Sequence, residues 1–186
     1  MNIVSLFKNE HKINITFLIT SYTITVLSLS LITVAIVAIV NYTSHHSLVF
    51  DIGFAIKSLK MLSIAGLFAF IWSTICIYND KKKCIKIALD LKGHYNNFST
   101  NSNSQKKSSE RVEHIIKKMD MSRHFYGSMT TFIVNDVDTW VKGINIKDMN
   151  YYLSCEVEYK SGEKDKFKLK FSAINGGDPV LKSISF

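Results

Sequence analysis

The fold is decided by an uncharged apolar stretch at residues 13–40, INITFLITSYTITVLSLSLITVAIVAIV. No Asp, Glu, Lys or Arg occurs from Ile13 to Phe50. A helix of about 20 apolar residues spans a bilayer, whereas a secretory signal core is shorter and ends in a small-residue cleavage site that this stretch lacks. The stretch therefore predicts an uncleaved transmembrane helix at residues 14–40.

A second apolar run, MLSIAGLFAFIWSTICIY, follows at Met61–Tyr78. It is long enough to span a bilayer, and its aromatic residues Trp72 and Tyr78 suit the membrane interface. The semi-apolar residues before it extend the helix at its start. We therefore predict a second transmembrane helix at residues 57–78, joined to the first by an outer loop and interfacial segment at residues 41–56.

Four lysines follow the second run directly, at Lys81, Lys82, Lys83 and Lys86. The loop NYTSHH between the two runs carries no Lys or Arg. Basic residues beside membrane helices stay on the cytoplasmic side, where each gains about 1 kcal/mol at anionic headgroups. We expect these lysines to contact lipid headgroups and both chain termini, including residues 1–13, to be cytoplasmic.

Small and hydroxylated side chains recur at helical spacing in both runs, which places them on shared helix faces. They are Thr16, Thr20 and Thr23 in the first run, and Ala65, Ala69 and Ser73 in the second. In the first run, the simpler explanation is that each hydroxyl bonds its own upstream carbonyl, and the alternative is that the hydroxyls join helices across an oligomer. In the second run, packing inside the hairpin and packing between copies in a homo-oligomer explain the strip equally well, because small side chains let helix backbones approach closely.

The water-facing part begins with NDKKKCIKIALDLKGHY, in which apolar residues alternate with Lys and Asp. This predicts an amphipathic stalk at residues 79–95 that ends near Gly93. The next segment, NNFSTNSNSQKKSS, is small and polar and indicates a flexible linker at residues 96–109. A cytosolic domain at residues 110–186 completes the chain.

That domain opens with SERVEHIIKKMDM, a short helix capped by Ser109 whose apolar face carries Val112, Ile115, Ile116 and Met119. The period then changes to two, which predicts strands at SMTTFIVN, TWVKGINI, NYYLSCEVEY, DKFKLKFSAI and PVLKSISF. The turn KSGEK joins the third to the fourth, and their Glu and Lys rows can pair across the hairpin. We expect an α+β membrane protein with one or two helices on a four- to five-stranded antiparallel sheet.

Residues able to carry chemistry are few. The sequence has no Gly-rich phosphate loop, HExxH, CxxC pair or nucleophile elbow. Asp136 and Asp138 resemble paired carboxylates but suit a turn between strands. The remaining candidates are Cys76, Cys84, Cys155, His94, His114, His124 and Asp120, and none has metal-ligand spacing. We predict no enzymatic activity, no cofactor and no metal site.

The net charge of +8 favours anionic partners such as phospholipid surfaces or nucleic acid. A nucleic-acid platform needs basic and exposed aromatic residues on one sheet face. In the fourth strand Phe167, Leu169 and Phe171 alternate with the lysines and so belong to the core. Direct nucleic-acid binding is therefore not expected.

The plan as a whole, two apolar spans, a KKKC junction and a β-rich tail, resembles the two-transmembrane effectors of bacterial phage-defence systems, especially those of retrons. The resemblance implies a non-enzymatic, multi-pass protein of the inner membrane. It implies that a regulatory protein or ribonucleoprotein holds the cytosolic domain silent. It also implies that the released helices oligomerise and disrupt the membrane.

Two other classes remain open. The small α+β domain is similar to the cone-shaped domains of scaffold or assembly factors in secretion and respiratory complexes, which usually hang from one membrane helix and face away from the cytoplasm. A membrane enzyme or transporter subunit normally carries an ionisable residue within its spans, and the first span has none.

Overall fold

The computed structural model describes residues 10–45, 52–100, 114–119, 126–142, 148–174 and 177–186. These residues form two compact units. One is the helical unit, Asn14–Ile77, and the other is the sheet unit, which comprises the described residues before Asn14 and after Ile77.

The helical unit contains helix α1 (Ile15–His45) and the first part of helix α2 (Ile52–Thr100). Asn14 caps α1, since its Oδ1 accepts a 2.7 Å hydrogen bond from the Phe17 N–H. Both helices are long and apolar enough to cross a membrane, and only 6% of the most apolar stretch of each is buried. Large side chains such as Leu31, Phe68 and Trp72 point outward instead of into a core.

The sheet unit holds a five-stranded antiparallel sheet in the order β1-β2-β3-β4-β5. Its strands are β1 (Glu10–Lys12), β2 (Met129–Lys142), β3 (Met149–Tyr159), β4 (Lys164–Ala173) and β5 (Val180–Ser185). The expected α+β layout with an antiparallel sheet is confirmed. The expected turn between β3 and β4 is also present, with Gly162 at a φ of 90°, a conformation that L side chains rarely adopt.

One face of this sheet is the core. Alternate residues of β3 point to it and are all buried, namely Met149, Tyr151, Leu153, Cys155, Val157 and Tyr159. The last turns of α2 bury Cys84, Ala88, Leu91 and Tyr95 in the same unit. The Tyr95 ring lies 6.2 Å from the Tyr159 ring, and the Tyr151 hydroxyl donates a 3.0 Å hydrogen bond to Asp80. The end of α2 therefore covers this face.

Strand β2 corrects two expectations. It is one strand where the sequence pattern indicated two, and the expected turn at Asp136 and Asp138 is wrong because both residues lie within it. Its pairing with β3 is irregular between Val134 and Asp136, as in a β-bulge. A bulge adds one residue to a strand and so shifts the alternation of its faces, which made one strand resemble two.

Strand β1 comes from a part of the chain for which the sequence predicted no regular structure. Its three residues pair with the end of β2, Glu10 opposite Lys142 and Lys12 opposite Trp140. The Ile13 N–H then donates a 2.7 Å hydrogen bond to the Thr139 carbonyl. The chain just before α1 is therefore an edge of the sheet.

Helix α2 also differs from expectation. It continues through Gly93 to Thr100, so the predicted helix end near Gly93 is wrong and residues 96–100 of the expected linker are helical. Residues 101–109 lie outside the described residues. A short helical segment at residues 114–119 buries Ile115, Ile116 and Met119, as predicted. Ser109 and Val112, its predicted cap and first apolar residue, lie outside the described residues.

Candidate functional site

The second face of the sheet is polar, and we call it the open face. On β3 it carries half-buried Tyr152, Ser154, Glu156 and Glu158. Their register partners on β4 are the four lysines of the KDKFKLK pattern. The open face is where the sheet unit presents charged and aromatic side chains together.

The four lysines have different partners across β3. Near the turn, Lys164 lies 4.0 Å from Glu158 and Lys166 lies 3.7 Å from Glu156, as the sequence predicted for the Glu and Lys rows. Further along, Lys168 is opposite Ser154. In register across β3, glutamates therefore face the lysines at the turn end of β4, and Ser154 faces Lys168.

Two aromatic side chains lie beside that other end. The Trp140 and Tyr152 rings meet edge to face, with centroids 6.4 Å apart and an interplanar angle of 82°. The Nζ atom of Lys170 lies 5.2 Å from the centre of the Tyr152 ring, within cation–π range. These contacts hold the Tyr152 ring in place on the sheet.

A cavity of about 240 Å³ opens between these side chains, and we call it the open-face cavity. It is lined by Asp138, Trp140, Tyr152, Ser154 and Lys168. The Asp138 carboxylate is 2.5 Å from the Lys12 ammonium, and the hydrogen bond between them raises the pKa of Lys12. Asp138 thus reaches the cavity already paired with a cation.

The aromatic residues of β4 oppose its lysines, as the sequence predicts, and Phe167, Leu169 and Phe171 are buried. Trp140 and Tyr152 supply aromatic rings on the lysine side instead. The sequence could have placed Tyr152 on the open face, because it lies two residues before Ser154 and four before Glu156 in β3 and so points to the same side. The sequence could not have placed Trp140 there, because the side to which it points depends on the bulge in β2.

The helical unit brings together part of the predicted packing strip. The Tyr22 hydroxyl hydrogen-bonds with the Ser73 hydroxyl and lies 3.1 Å from the Ala69 carbonyl oxygen. The Tyr22 and Phe70 rings pack edge to face at 5.7 Å. Ala69 and Ser73 therefore serve packing within the hairpin, and Tyr22 is a contact residue that the search for small side chains missed.

The other predicted packing residues face outward. Thr23 donates a 2.8 Å hydrogen bond to its own upstream carbonyl at Ile19, so its hydroxyl is satisfied locally. Thr16, Thr20 and Ala65 are exposed. Their role in packing between copies stays a prediction.

A groove of about 400 Å³ runs between α1 and α2 in the helical unit, and we call it the hairpin groove. Gly66 lets the helices approach here, since a Cβ atom at this position would lie 2.5 Å from Cγ2 of Val26. The groove is lined by Ile19, Tyr22, Thr23, Val26, Leu27, Leu59, Ser63, Gly66, Leu67 and Phe70. It is largely apolar, and sequence spacing alone did not reveal the part that Gly66 plays.

The four lysines predicted to contact headgroups lie on α2 in the sheet unit. Lys82 stacks on the Tyr78 ring at 4.7 Å, and Lys83 makes a 2.5 Å ion pair with Asp178. Lys86 is exposed and Lys81 is half-buried. Lys83 therefore already has an anionic partner within the protein, and headgroup contact by the others stays a prediction.

The remaining polar candidates do not converge. Within the described ranges no group of three or more His, Cys, Asp or Glu side chains could hold a metal ion. His94 and His114 are exposed, while Asp120 and His124 lie outside the described residues. Burial raises the pKa of the Cys155 thiol to about 12, which keeps it protonated and a poor nucleophile at neutral pH.

No protein-family model, curated protein or solved structure matches this chain.

Proposed function

We propose that this chain is a non-enzymatic effector of the inner membrane, in which the helical unit crosses the bilayer and self-associates. The sheet unit lies in the cytoplasm and is controlled by a partner. The observation that carries the proposal is the exposure of apolar side chains on both helices. Only 6% of the most apolar stretch of each helix is buried. In water such a surface is strongly unfavourable, and in lipid it is matched to its solvent.

The pairing of β1 with β2 supports two crossings. β1 precedes α1, and the rest of the sheet follows the apolar part of α2. Strands of one sheet lie on one side of a membrane, so an even number of crossings separates them. The lysines at positions 81, 82, 83 and 86 then favour the cytoplasm for that side.

Self-association is supported by what the hairpin leaves uncovered. Tyr22 and Ser73 are engaged with each other, whereas Thr16, Thr20 and Ala65 remain exposed. Small outward residues let a second helix approach closely, which increases the van der Waals packing that helps to drive helix association in lipid. These three residues are the surface we assign to contacts between copies.

The partner is assigned to the sheet unit, since the open face presents charged side chains and aromatic rings together. A regulatory protein or ribonucleoprotein bound there holds the hairpins apart. Its release lets them assemble and permeabilise the membrane, which in phage defence stops the infected cell.

The test is expression of the full chain in bacteria, with membrane potential followed by a voltage-sensitive dye. We expect depolarisation, and an oligomer on cross-linking in membranes. Ala65→Leu adds bulk at the proposed contact and should reduce both signals. Ile64→Leu keeps the bulk of an exposed neighbour and serves as the matched control.

Unchanged potential and a monomer on cross-linking, at expression levels confirmed in the membrane fraction, would reject the effector function. Equal effects of the two substitutions would reject the contact surface. A membrane-anchored scaffold or assembly factor is the second candidate, and the polar open face favours it because a docking surface needs no pore. That candidate predicts partner binding without loss of membrane potential.

A further inference from the structure

We propose that the open-face cavity binds a nucleotide, with the base against Trp140 and Tyr152 and the phosphate at Lys168. The same chemistry is offered by a free nucleotide and by one residue of a single-stranded nucleic acid. The proposal concerns the sheet unit only and is independent of whether the hairpin permeabilises membranes.

The aromatic part of the site is built in advance. In register, Tyr152 lies between Asp138 on β2 and Lys170 on β4, at the centre of the open face. Trp140 packs against its ring at 82°, and Lys170 lies over the ring. Both rings line the cavity, so a base that enters it meets aromatic side chains that are already held in place, which lowers the entropy cost of binding.

The charge of the site points to an anion. Lys164 and Lys166 face glutamates, but Lys168 faces Ser154 and makes no ion pair with a carboxylate among the described residues. Lys168 also lines the cavity. It is therefore the ammonium group of β4 available to a phosphate oxygen, and such charge-assisted hydrogen bonds are the strong ones.

The acidic groups nearby limit how much negative charge the ligand carries. Asp138 is held by Lys12, and Asp136 is opposite Ser154 with its Oδ1 accepting the Val137 N–H at 2.8 Å. Around the cavity there are thus three lysines and two aspartates, namely Lys12, Lys168 and Lys170 against Asp136 and Asp138. This balance fits a monophosphate better than a triphosphate.

The polar groups on the wall suit the rest of a nucleotide. The Ser154 hydroxyl can donate or accept, and the Asp138 carboxylate accepts hydrogen bonds from an exocyclic amino group or a ribose hydroxyl. The cavity of about 240 Å³ lies below the roughly 300–1,000 Å³ usual for drug-sized ligands. At that size it holds no more than one nucleotide unit.

The experiment uses tryptophan fluorescence of the full chain in lipid nanodiscs. The chain has two tryptophans, and Trp72→Phe leaves Trp140 as the only reporter. The probes are adenosine monophosphate, adenosine, inorganic phosphate and a ten-residue oligothymidylate. We expect adenosine monophosphate to quench the emission in a saturable way, adenosine to bind more weakly, and phosphate alone to leave the emission unchanged.

Comparison of the oligonucleotide with the mononucleotide distinguishes the two sources. Tighter binding of the oligonucleotide, with strong salt dependence, assigns the site to single-stranded nucleic acid. Binding of the mononucleotide alone assigns it to a free nucleotide. Either result supports the site.

Variants test the residues. Lys168→Gln should weaken binding about tenfold, the loss expected for one hydrogen bond from a charged donor. Lys164→Gln is the matched control on the same strand and face, and it should leave affinity unchanged because Glu158 already neutralises Lys164. Tyr152→Leu should abolish saturable quenching, with circular dichroism confirming that the sheet is retained.

Absence of quenching by adenosine monophosphate and by the oligonucleotide at millimolar concentrations would overturn the proposal. Equal loss of affinity in the Lys164 and Lys168 variants would also overturn it, because diffuse surface charge would then explain binding. Saturable quenching by a hexaglutamate peptide and not by nucleotides would reassign the cavity to acidic peptides.

Discussion

At the scale of single residues, Asn96 joins helix α2 to the first residue of β2. Its side-chain amide donates to the Met129 carbonyl at 3.0 Å and accepts from the Met129 N–H at 2.8 Å. Both hydrogen bonds are partly buried. We predict that Asn96→Ala lowers the free energy of unfolding of the sheet unit by about 2 kcal/mol, because two backbone groups lose their partner.

The measurement is urea unfolding of the purified full chain in detergent, followed by circular dichroism in the β-sheet region. His94→Ala is the control, since His94 is an exposed residue two positions earlier in the same helix. It should stay within about 0.5 kcal/mol of the parent. Equal stability of the two variants would show that Asn96 does not hold β2.

Gly93 gives a prediction of opposite sign. It lies inside α2, and nothing lies within 4 Å of a Cβ atom placed there. Gly93→Ala should raise the free energy of unfolding by about 0.5–1 kcal/mol, because alanine has the higher helix propensity. A destabilised variant in the same urea titration would indicate that the helix ends at this glycine.

At the scale of elements, the packing of α1 on α2 depends on Gly66. A methyl group there would meet Cγ2 of Val26 at 2.5 Å, so Gly66→Ala should force the helices apart and lower the thermal midpoint of the hairpin in detergent. Shortening the neighbour provides the control, because Val26→Ala removes the clashing atom. The double variant should then be more stable than the sum of the single effects implies, and simple additivity would contradict the contact.

The elements also show why prediction from sequence succeeded in some places and failed in others. Strands β3 and β4 were predictable because each keeps a strict alternation and a short turn joins them. Strand β2 was divided in two because its bulge shifts the alternation. Strand β1 has three residues and pairs with a segment far along the chain, so no local pattern indicated it.

The candidate site was predictable only in part for the same reason. The lysines of β4 and their glutamate partners followed from alternation along two neighbouring strands. The open-face cavity needs Trp140 and Asp138 from β2 beside Tyr152 and Lys168. These residues lie together only because β2 pairs with β3 in the register that the bulge sets. That register depends on contacts between residues distant in sequence.

At the scale of the whole molecule, the proposed topology puts the chain before α1 and the chain after the apolar part of α2 on one side of the membrane, because β1 and β2 pair in one sheet. We predict that Thr43→Cys is labelled only from outside the cell by an impermeant maleimide, in a background without Cys76, Cys84 and Cys155. His94→Cys should be labelled only after the inner membrane is permeabilised. Both positions are exposed in the structure.

Two outcomes would contradict this topology. Labelling of both cysteines from one side would mean that the two helices do not form a two-crossing hairpin. The reverse pattern, with His94→Cys labelled from outside, would place the sheet unit away from the cytoplasm. That result would favour the scaffold candidate over the effector.

The uncharged run at residues 13–40 and the apolar run at Met61–Tyr78 each determined a long apolar helix, because hydrophobicity and length are local properties of a chain. Alternation likewise determined the faces of β3 and β4. Only the tertiary structure decided that Ala69 and Ser73 pack on Tyr22 and that residues 10–12 form the edge strand of the sheet. It also decided that Trp140 and Tyr152 line one cavity with Lys168. These contacts join residues far apart in sequence, so they depend on strand register and helix approach, which no single segment specifies.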